Sequence, residues 1–390
     1  MRVNKIIPYG RQSIDELDIL EINKVLNSDW LTQGPVVTHF EQALSEYCSA
    51  AYAVACTNAT AALHVACLAL GLTVNDIVWT SPNTFLSSAN CARFCGAQID
   101  FVDIDEKTYN LCPDKLEAKL LTAEKLDKLP KIIIPVHFAG QSCDMKKIHQ
   151  LAKKFNFHII EDASHAIGAT YLDKRIGCCQ YSDITIFSFH PVKIITTGEG
   201  GAALTNSKEI AEKIRLYITH GMTRDSKKME NPSNDLWYYE QIELGFNYRI
   251  TDIHCALGLS QLKKIDTFIR KRHELVARYN EGLKDLPLTL PYQHPDTYSS
   301  FHLYVICLMA EYKNKTRAQL FNELRQANIG VNVHYIPVHT QPYYKKFGFQ
   351  WGDFPVSEDY YHRTITLPLY PGLSYEQQDT IISIIKNILT

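Results

Sequence analysis

One lysine in this sequence stands in a setting that suits covalent chemistry on a carbonyl group. Lys193 follows the strand-like run 183–189 and is flanked by valine and isoleucine. Apolar neighbours solvate an ammonium ion poorly, so they lower the pKa of the amine and free it to form a Schiff base. The segment 188–201 therefore makes Lys193 the candidate reactive residue. A surface lysine beside a buried strand explains this segment about as well.

A carboxylate follows a second strand-like run. Residues 157–160 are strand formers, and the carboxylates Glu161 and Asp162 follow them at the start of a turn of small residues. Carboxylates at the carboxyl ends of buried parallel strands commonly serve ligands. If Lys193 holds pyridoxal phosphate, an anion such as Asp162 is needed against the pyridine nitrogen, because a protonated ring is the better electron sink. A helix N-cap is the structural alternative for Asp162.

The segment 54–64 predicts a strand followed directly by an alanine-rich helix. Thr57, Asn58, Ala59 and Thr60 stand at this junction. Free backbone N–H groups and the positive end of the helix dipole make such a junction a natural phosphate site. Many strand–helix junctions carry these residue types simply as helix caps, so that alternative stays open.

Taken together and in this order, these elements resemble the DegT/DnrJ/EryC1/StrS family of sugar aminotransferases. The resemblance extends over nearly the whole chain, and the segments that carry it are 30–35, 57–60, 81–85, 162–165, 188–201 and 245–249. It implies an α/β fold of the aspartate-aminotransferase type (fold type I). The large domain of that fold has a mainly parallel seven-stranded sheet, and the smaller C-terminal domain is α+β.

The same resemblance implies a cofactor, pyridoxal 5'-phosphate (PLP), with pyridoxamine 5'-phosphate as the intermediate form. Lys193 would be the catalytic residue, which binds the cofactor and later moves a proton, and Asp162 would meet the pyridine nitrogen. His165 would approach the phenolic oxygen of the cofactor. Phe85 would lie against the ring, since aromatic faces stack well on a flat heterocycle. An ordinary core phenylalanine is the alternative for Phe85.

The resemblance also implies how the cofactor phosphate is held. The expected contacts come from Thr57, Asn58, Ala59, Thr60 and Ser188, together with Asn247 from a second subunit. Because Asn247 would cross from another chain, the expected assembly is a homodimer whose active site is shared between subunits. Arg249 would either meet phosphates of the substrate or have a packing role.

The reaction expected from the resemblance is transamination, since sugar-dehydrating relatives carry histidine at the position of Lys193. The segments 162–166 and 187–197 are most similar to family members of pseudaminic acid biosynthesis. The sequence therefore predicts transfer of an amino group, from L-glutamate, to C4 of a UDP-linked 4-keto-6-deoxy-N-acetyl hexose. Another nucleotide-linked keto sugar is one alternative, and a non-catalytic PLP-binding sensor of the same fold is another.

Aromatic and histidine residues concentrate in the segment 331–344. Such a loop suits contacts with a base or with sugar hydroxyls, although a buried polar loop is the alternative. The substrate-binding candidates are Tyr9, Trp30, Thr32, Arg249, His334, Tyr335, His339 and Tyr344. No carboxylate or cysteine stands at ligand spacing from the two histidines of this loop, so no metal site is predicted.

Bulk properties favour a cytoplasmic metabolic enzyme. The chain has 390 residues, 46% of them hydrophobic, which suits about two domains. A formal net charge of −2 gives no footprint for nucleic acid. No apolar run has the length of a membrane span, and the polar start 1–5 does not suit a signal peptide. Eleven scattered cysteines without a Cys-x-x-Cys pattern indicate a reducing compartment.

Strand-like runs alternate with helical patterns, which predicts a mainly parallel sheet covered by helices. Besides the strand in 54–64, the predicted strands are 77–80, 98–103, 131–137, 157–161, 183–189 and 201–205. The predicted helices are 60–71, 84–95, 144–155, 208–220, a long helix 251–286, 316–326 and 375–389, with a further strand at 301–308. The predicted domains are 1–250, which binds the cofactor, and 251–390, which holds the linking helix and the small domain.

Overall fold

The computed structural model describes residues 5–233 and 235–390. The prediction that the polar start 1–5 does not suit a signal peptide therefore concerns a segment of which only residue 5 is described. In the described part of the chain, no helix combines the length and the apolar character that crossing a membrane requires.

The strands, numbered in chain order, are short and most end near a turn. They are β1 Tyr52–Cys56, β2 Ile77–Thr80, β3 Gln98–Phe101, β4 Ile132–Ile134, β5 His158–Asp162, β6 Thr170–Tyr171, β7 Lys174–Arg175, β8 Ile184–Ser188, β9 Gly201–Thr205, β10 Met222–Thr223, β11 Glu240–Gln241, β12 Leu288–Thr289, β13 Thr297–Tyr298, β14 Tyr304–Leu308 and β15 Thr364–Leu367.

The helices alternate with these strands along most of the chain. They are α1 Glu16–Leu26, α2 Pro35–Cys48, α3 Ala59–Ala69, α4 Ser87–Phe94, α5 Pro113–Lys125, α6 Met145–Phe155, α7 Lys208–Ile218, α8 Asp252–Leu262, α9 Ile265–Leu283, α10 Arg317–Gln326, α11 Pro342–Lys345, α12 Pro355–Arg363 and α13 Tyr375–Leu389.

The largest sheet has seven strands in the order β1-β9-β8-β5-β4-β2-β3. Strand β9 is antiparallel to both of its neighbours, and the other pairs in the sheet are parallel. The predicted mainly parallel seven-stranded sheet is therefore confirmed. Its strands could be predicted from the sequence because a sheet covered on both faces is built from nearly continuous apolar runs.

Helices cover both faces of this sheet. Ile133 packs into a core with α2, α5, α6 and α8, whereas its neighbours Ile132 and Ile134 pack on the opposite face with α3, α4 and α7. Successive side chains of a strand point to opposite faces, so one short apolar run supplies both cores.

The predicted long helix 251–286 is wrong in one respect, because the structure divides it into α8 and α9. The break falls at Lys263 and Lys264, whose backbone leaves the regular hydrogen-bond pattern. At this break the Lys264 amine lies 2.8 Å from a carboxylate oxygen of Asp15 and 2.8 Å from one of Asp18, which is fully buried in α1. A break between two helices thus places a cation against a buried anion.

The C-terminal region has its own core around the antiparallel sheet β12-β14-β15. Helix α9 belongs to both bodies: Phe268 and Ile269 pack with the large sheet, whereas Val276 and Tyr279 pack with the C-terminal sheet. The division at residue 250 stays a prediction, although these clusters place α8 and the start of α9 with the large sheet.

The carboxyl ends of β1, β2, β4, β5 and β8 lie at one edge of the large sheet, where open α/β sheets bind ligands. Gly201, the first residue of the antiparallel β9, also lies there, between Cys56 of β1 and Ser188 of β8. The backbone of α3 approaches Gly201 closely. A Cβ atom at this position would lie 2.5 Å from the nitrogen of Ala59.

We predict that Gly201→Ala displaces the start of α3 and lowers the free energy of unfolding by about 1–3 kcal/mol, as overpacking does. Denaturant unfolding of the purified protein measures this. Gly372→Ala is the matched control, because a Cβ there meets no atom closer than 3.9 Å. Equal stability of the two variants would contradict the close approach.

Candidate active site

A cavity of about 880 Å³ opens where these strand ends meet. Its volume is in the upper part of the range of ligand pockets, roughly 300–1,000 Å³. The structure brings together the following predicted residues in its lining: Tyr9, Asn58, Ala59, Thr60, Phe85, Asp162, His165, Ser188, Lys193, His334 and Tyr335.

Lys193 reaches this cavity from the turn between β8 and β9. The residue is partly exposed to the open cavity, whereas the amine at the tip of the side chain is surrounded by protein atoms. Burial lowers the pKa of the amine from its ordinary 10.5 to about 8, although the negative charge of Asp162 acts in the opposite direction. A substantial fraction of the amine is therefore neutral, and nucleophilic, at mildly alkaline pH.

Asp162 is the last residue of β5 and is almost completely buried. One carboxylate oxygen accepts a hydrogen bond from the Ser88 hydroxyl at 2.5 Å. The other oxygen accepts from the backbone N–H and the hydroxyl of Ser164, at 3.1 and 2.6 Å. No helix begins after Asp162, so the N-cap alternative does not describe it. Instead, these donors hold the carboxylate at the cavity wall.

The start of α3 presents backbone donors to the cavity. The side chain of Asn58 caps the helix by accepting from Ala61 N–H at 2.8 Å, so the capping interpretation is correct for this residue. Within the described residues, the N–H groups of Ala59 and Thr60 have no acceptor. A helix N-terminus of this kind favours an anion. Ser188, which lines the same cavity, adds a hydroxyl nearby.

Aromatic side chains form part of the cavity wall. Phe85 is 58% exposed, which excludes the core alternative, and its ring centroid lies 6.2 Å from that of Tyr335. Tyr9 lies against His334, with a centroid distance of 5.5 Å. An exposed aromatic face inside a cavity is a natural surface for a flat ring.

Two histidines of the wall are held neutral. Burial, with a further contribution from the charge of Lys193, lowers the pKa of His334 to about 3. Burial, with a further contribution from the charge of Lys193, holds the pKa of His165 well below its usual range. Both imidazoles therefore act as neutral hydrogen-bonding groups at physiological pH.

The expected substrate contacts of His339 and Tyr344 are corrected by the structure, because both side chains lie in the core. His339 is fully buried, with Nε2 lying 2.9 Å from Glu358. The Tyr344 hydroxyl donates to Asn90 at 2.6 Å. The buried-loop alternative describes these two residues, whereas His334 and Tyr335 of the same segment face the cavity.

The other predicted residues lie outside the cavity lining of their own chain. Thr57 donates its backbone N–H to the carbonyl of Tyr248 at 2.8 Å. Trp30, Thr32 and Asn247 are exposed, and Arg249 is partly exposed. Contacts of these residues with ligands stay predictions.

Several residues of the site were not predicted from the sequence. Tyr248, His302 and Asn332 line the cavity, and Ser88 and Ser164 hold Asp162. Ser164 stands two residues after Asp162, and this spacing could have predicted an Asx-type turn in which the Asp162 side chain accepts from Ser164. Ser88 lies 74 residues from Asp162 in sequence, and no local pattern indicates that contact. In the described residues, no group of three or more histidine, cysteine or acidic side chains is placed to hold a metal ion.

Sequence comparisons agree with this geometry over nearly the full chain. The model of the DegT/DnrJ/EryC1/StrS aminotransferase family matches residues 12–386. The spore coat polysaccharide biosynthesis protein SpsC of Bacillus subtilis (strain 168) is 40% identical, with 99% of this chain and 98% of the relative covered. The UDP-4-amino-4,6-dideoxy-N-acetyl-beta-L-altrosamine transaminase of Campylobacter jejuni is 37% identical, with 98% of each chain covered.

Solved structures give the same result. Helicobacter pylori PseC, an aminotransferase involved in the biosynthesis of pseudoaminic acid, superposes with a TM-score of 0.89 at 30% identity over 99% of each chain. Spr1654 from Streptococcus pneumoniae, in its PLP form, has a TM-score of 0.86 at 29% identity, with 99% of this chain and 100% of that chain covered.

Fold and site together define an aminotransferase of the PLP-dependent class, as the sequence predicted. The match extends from the first described helix to the last. This chain therefore belongs to the DegT/DnrJ/EryC1/StrS aminotransferase family.

We predict that Lys193 in the protein freed of cofactor titrates near pH 8. Reductive methylation with labelled formaldehyde, followed by NMR of the methyl groups across pH, measures this, and Lys193→Ala identifies the signal. Because the charge of Asp162 raises the pKa of Lys193, Asp162→Asn is expected to move the midpoint below the wild-type value. A midpoint near 10.5 in the wild type would show that the amine is not buried.

Proposed function

We propose that this protein transfers an amino group from L-glutamate to C4 of a UDP-linked 4-keto-6-deoxy-N-acetyl hexose, with PLP as cofactor. The observation that carries the proposal is the buried Lys193 amine, whose pKa is about 8, in the lining of the same cavity as Asp162. The named relatives in C. jejuni and H. pylori support an amino-sugar product. The cytoplasmic location and the homodimer remain part of this proposal.

The residues present fit PLP. The N–H groups at the start of α3, which have no acceptor among the described residues, suit a phosphate, and the absence of a side chain at Gly201 leaves room for the start of this helix. The oriented carboxylate of Asp162 suits a protonated pyridine nitrogen. Phe85 offers an exposed ring face in the same cavity.

Each protein group then has a defined task. When bound, PLP supplies the electron sink for the carbon that loses its proton. The Lys193 amine accepts that proton and returns it in the second half-reaction. Asp162 keeps the proton on the ring nitrogen. Glutamate leaves as an oxo acid before the keto sugar enters, so ping-pong kinetics are expected.

The cavity walls support a sugar nucleotide as the amino acceptor. Tyr9 and Tyr335 add aromatic surface and hydroxyls, and Asn332 adds an amide. In the part of the chain that the structure describes, no arginine lines the cavity. A diphosphate therefore needs cations from elsewhere, and the partly exposed Arg249 of a second subunit is the proposed source.

Sequence identity does not identify the sugar. Two relatives that are about equally identical to this chain carry different names: the spore coat protein at 40% and the altrosamine transaminase at 37%. Another nucleotide-linked keto sugar is thus the alternative within the class. A PLP-binding sensor is the alternative outside it, and such a sensor would show no amine transfer.

We predict that wild-type protein reconstituted with PLP changes its visible spectrum on addition of glutamate and then converts the UDP-keto sugar to an amino sugar. Lys193→Ala is expected to lower the rate of proton transfer by on the order of 10³-fold, because its acid–base group is lost. Lys193→Arg keeps the positive charge but removes the nucleophilic amine, and it serves as the control. A wild type that binds PLP yet transfers no amine to any keto sugar would favour the sensor.

We predict that two inactive variants complement each other if the active site is shared. Lys193→Ala and Asn247→Ala subunits, denatured and refolded together, would form mixed dimers with one intact site, which gives about a quarter of wild-type activity for random C2 pairing. Mixing Lys193→Ala with Lys193→Arg is the control, and no activity is expected there. Absence of complementation in the first mixture would place Asn247 outside the neighbouring site.

A further inference from the structure

Three thiols and one imidazole lie together between α3 and α4, outside the lining of the cavity. Helix α3 carries His64 and Cys67, which are three residues apart and share one face, and α4 carries Cys91, with Cys95 at its C-cap. The side chains of Cys91 and Cys95 are within hydrogen-bonding reach of the Cys67 thiol, and His64 is within reach of Cys95. We call these four residues the thiol cluster. They are not placed to share a metal ion, so the chemistry open to them is that of thiols.

The thiol cluster joins two helices that also form part of the active site. At their first turns, the hydroxyls of Thr60 and Ser87 lie 2.6 Å apart. The start of α3 lines the cavity, and Ser88 of α4 donates to the buried carboxylate of the site. Near their last turns, the same helices meet again through Cys67 and Cys95. A covalent bond at this second contact would therefore form at the far ends of the helices whose starts serve the active site.

The three thiols differ in access and in hydrogen bonding. Cys67 and Cys91 are fully buried, whereas Cys95 is partly exposed, so a small reagent from solvent meets Cys95 first. The Cys91 thiol donates to the carbonyl of Ser88 at 3.3 Å, within its own helix. Of the two buried thiols, Cys67 is the one that acts on Cys95. Cys95 and Cys67 therefore form a pair with one accessible member and one sheltered member.

The protons of this pair are held unequally. A hydrogen bond from Cys67 lowers the pKa of the Cys95 thiol to about 6, and the hydrogen bond and charge of His64 act in the same direction, against the effect of burial. Its thiol neighbours and burial hold the pKa of Cys67 well above its usual range. Cys95 is thus a thiolate at neutral pH, and the thiolate is the reactive form of cysteine. Cys178 is also partly exposed, but burial raises its pKa.

We propose that Cys95 is a site of oxidation by hydrogen peroxide, and that Cys67 then closes a disulfide bond with it. The Cys95 thiolate attacks one peroxide oxygen, the O–O bond breaks, and the other oxygen leaves as hydroxide and takes up a proton to become water. Cys95 is then a sulfenic acid. The Cys67 sulfur attacks the Cys95 sulfur, the S–O bond breaks, and the oxygen leaves as water with the proton of Cys67. The two sulfurs lose two electrons in total, and the peroxide accepts them.

The rate of alkylation tests the reactivity of Cys95. With purified wild-type protein carrying its cofactor, limited treatment with iodoacetamide at pH 7 and peptide mapping by mass spectrometry give the rate at each cysteine. Cys95 is expected to react on the order of 10-fold faster than Cys178, which is the matched control because it is partly exposed too. Equal rates, or a slower Cys95, would overturn the proposal.

Peroxide treatment tests the pairing. After brief exposure of the same protein to hydrogen peroxide and blocking of the remaining thiols, we expect a linked pair of peptides that contain Cys67 and Cys95, lighter by two hydrogens and separated by dithiothreitol. In Cys67→Ala, dimedone should label the sulfenic acid of Cys95 and no linked pair should form. Cys91→Ala is the control, in which the Cys67–Cys95 link should still form.

Two results would contradict the pairing in the wild type, so the test does not depend on the folding of any variant. One is a link of Cys67 to Cys91 in place of Cys95. The other is a Cys95 that stays reduced at peroxide concentrations that oxidise exposed methionines. Neither measurement involves amine transfer or a keto sugar, and failure of the proposed function would leave this inference unchanged.

Discussion

The site depends on the opposition between the burial of the Lys193 amine and the negative charge of Asp162. Burial alone would depress the pKa of the amine further, and full exposure would leave the pKa near its ordinary 10.5. The two effects together place the pKa at about 8. The carboxylate of Asp162 is almost completely buried, and three hydrogen bonds from Ser88 and Ser164 hold it in position. The sheet topology brings these groups together, because β5 and β8 are parallel neighbours.

Around this pair, the cavity wall is mostly neutral. Burial and the nearby amine keep His165 and His334 neutral, so Lys193, Asp162 and the carboxylate of Glu199 contribute most of the charge in the cavity lining. A neutral wall of phenols, imidazoles and amides can donate to oxygen atoms without competing with Asp162 for the cation.

Much of the fold and of the site could be predicted from the sequence. The seven strands were predicted because each is an apolar run bounded by turns, and Lys193 and Asp162 were found because they stand where such runs end. The break after Lys263 was missed, since amphipathic periodicity continues across it and the buried partner, Asp18, is far away in sequence. His339 was wrongly predicted to contact the substrate. A segment rich in histidines, aromatics and prolines can lie in the core or line a cavity, and composition does not distinguish the two.

The sharing of helix α9 between two cores has a mechanical consequence. Its nineteen residues form a rod of about 28 Å, and near its middle the fully buried Arg272 donates to the carbonyls of Phe301, His302 and Leu369. Rotation of the C-terminal sheet against the large sheet would have to move this helix or bend it near Arg272, where the three hydrogen bonds resist bending. The segment that carries His302 is also tied to the loops after β4 and β5, because the Ser300 N–H donates to the carbonyl of Gly140 at 3.1 Å and the Ser300 hydroxyl donates to the carbonyl of His165 at 2.8 Å. The position of His302 in the cavity lining is therefore fixed twice, by the helix and by these hydrogen bonds.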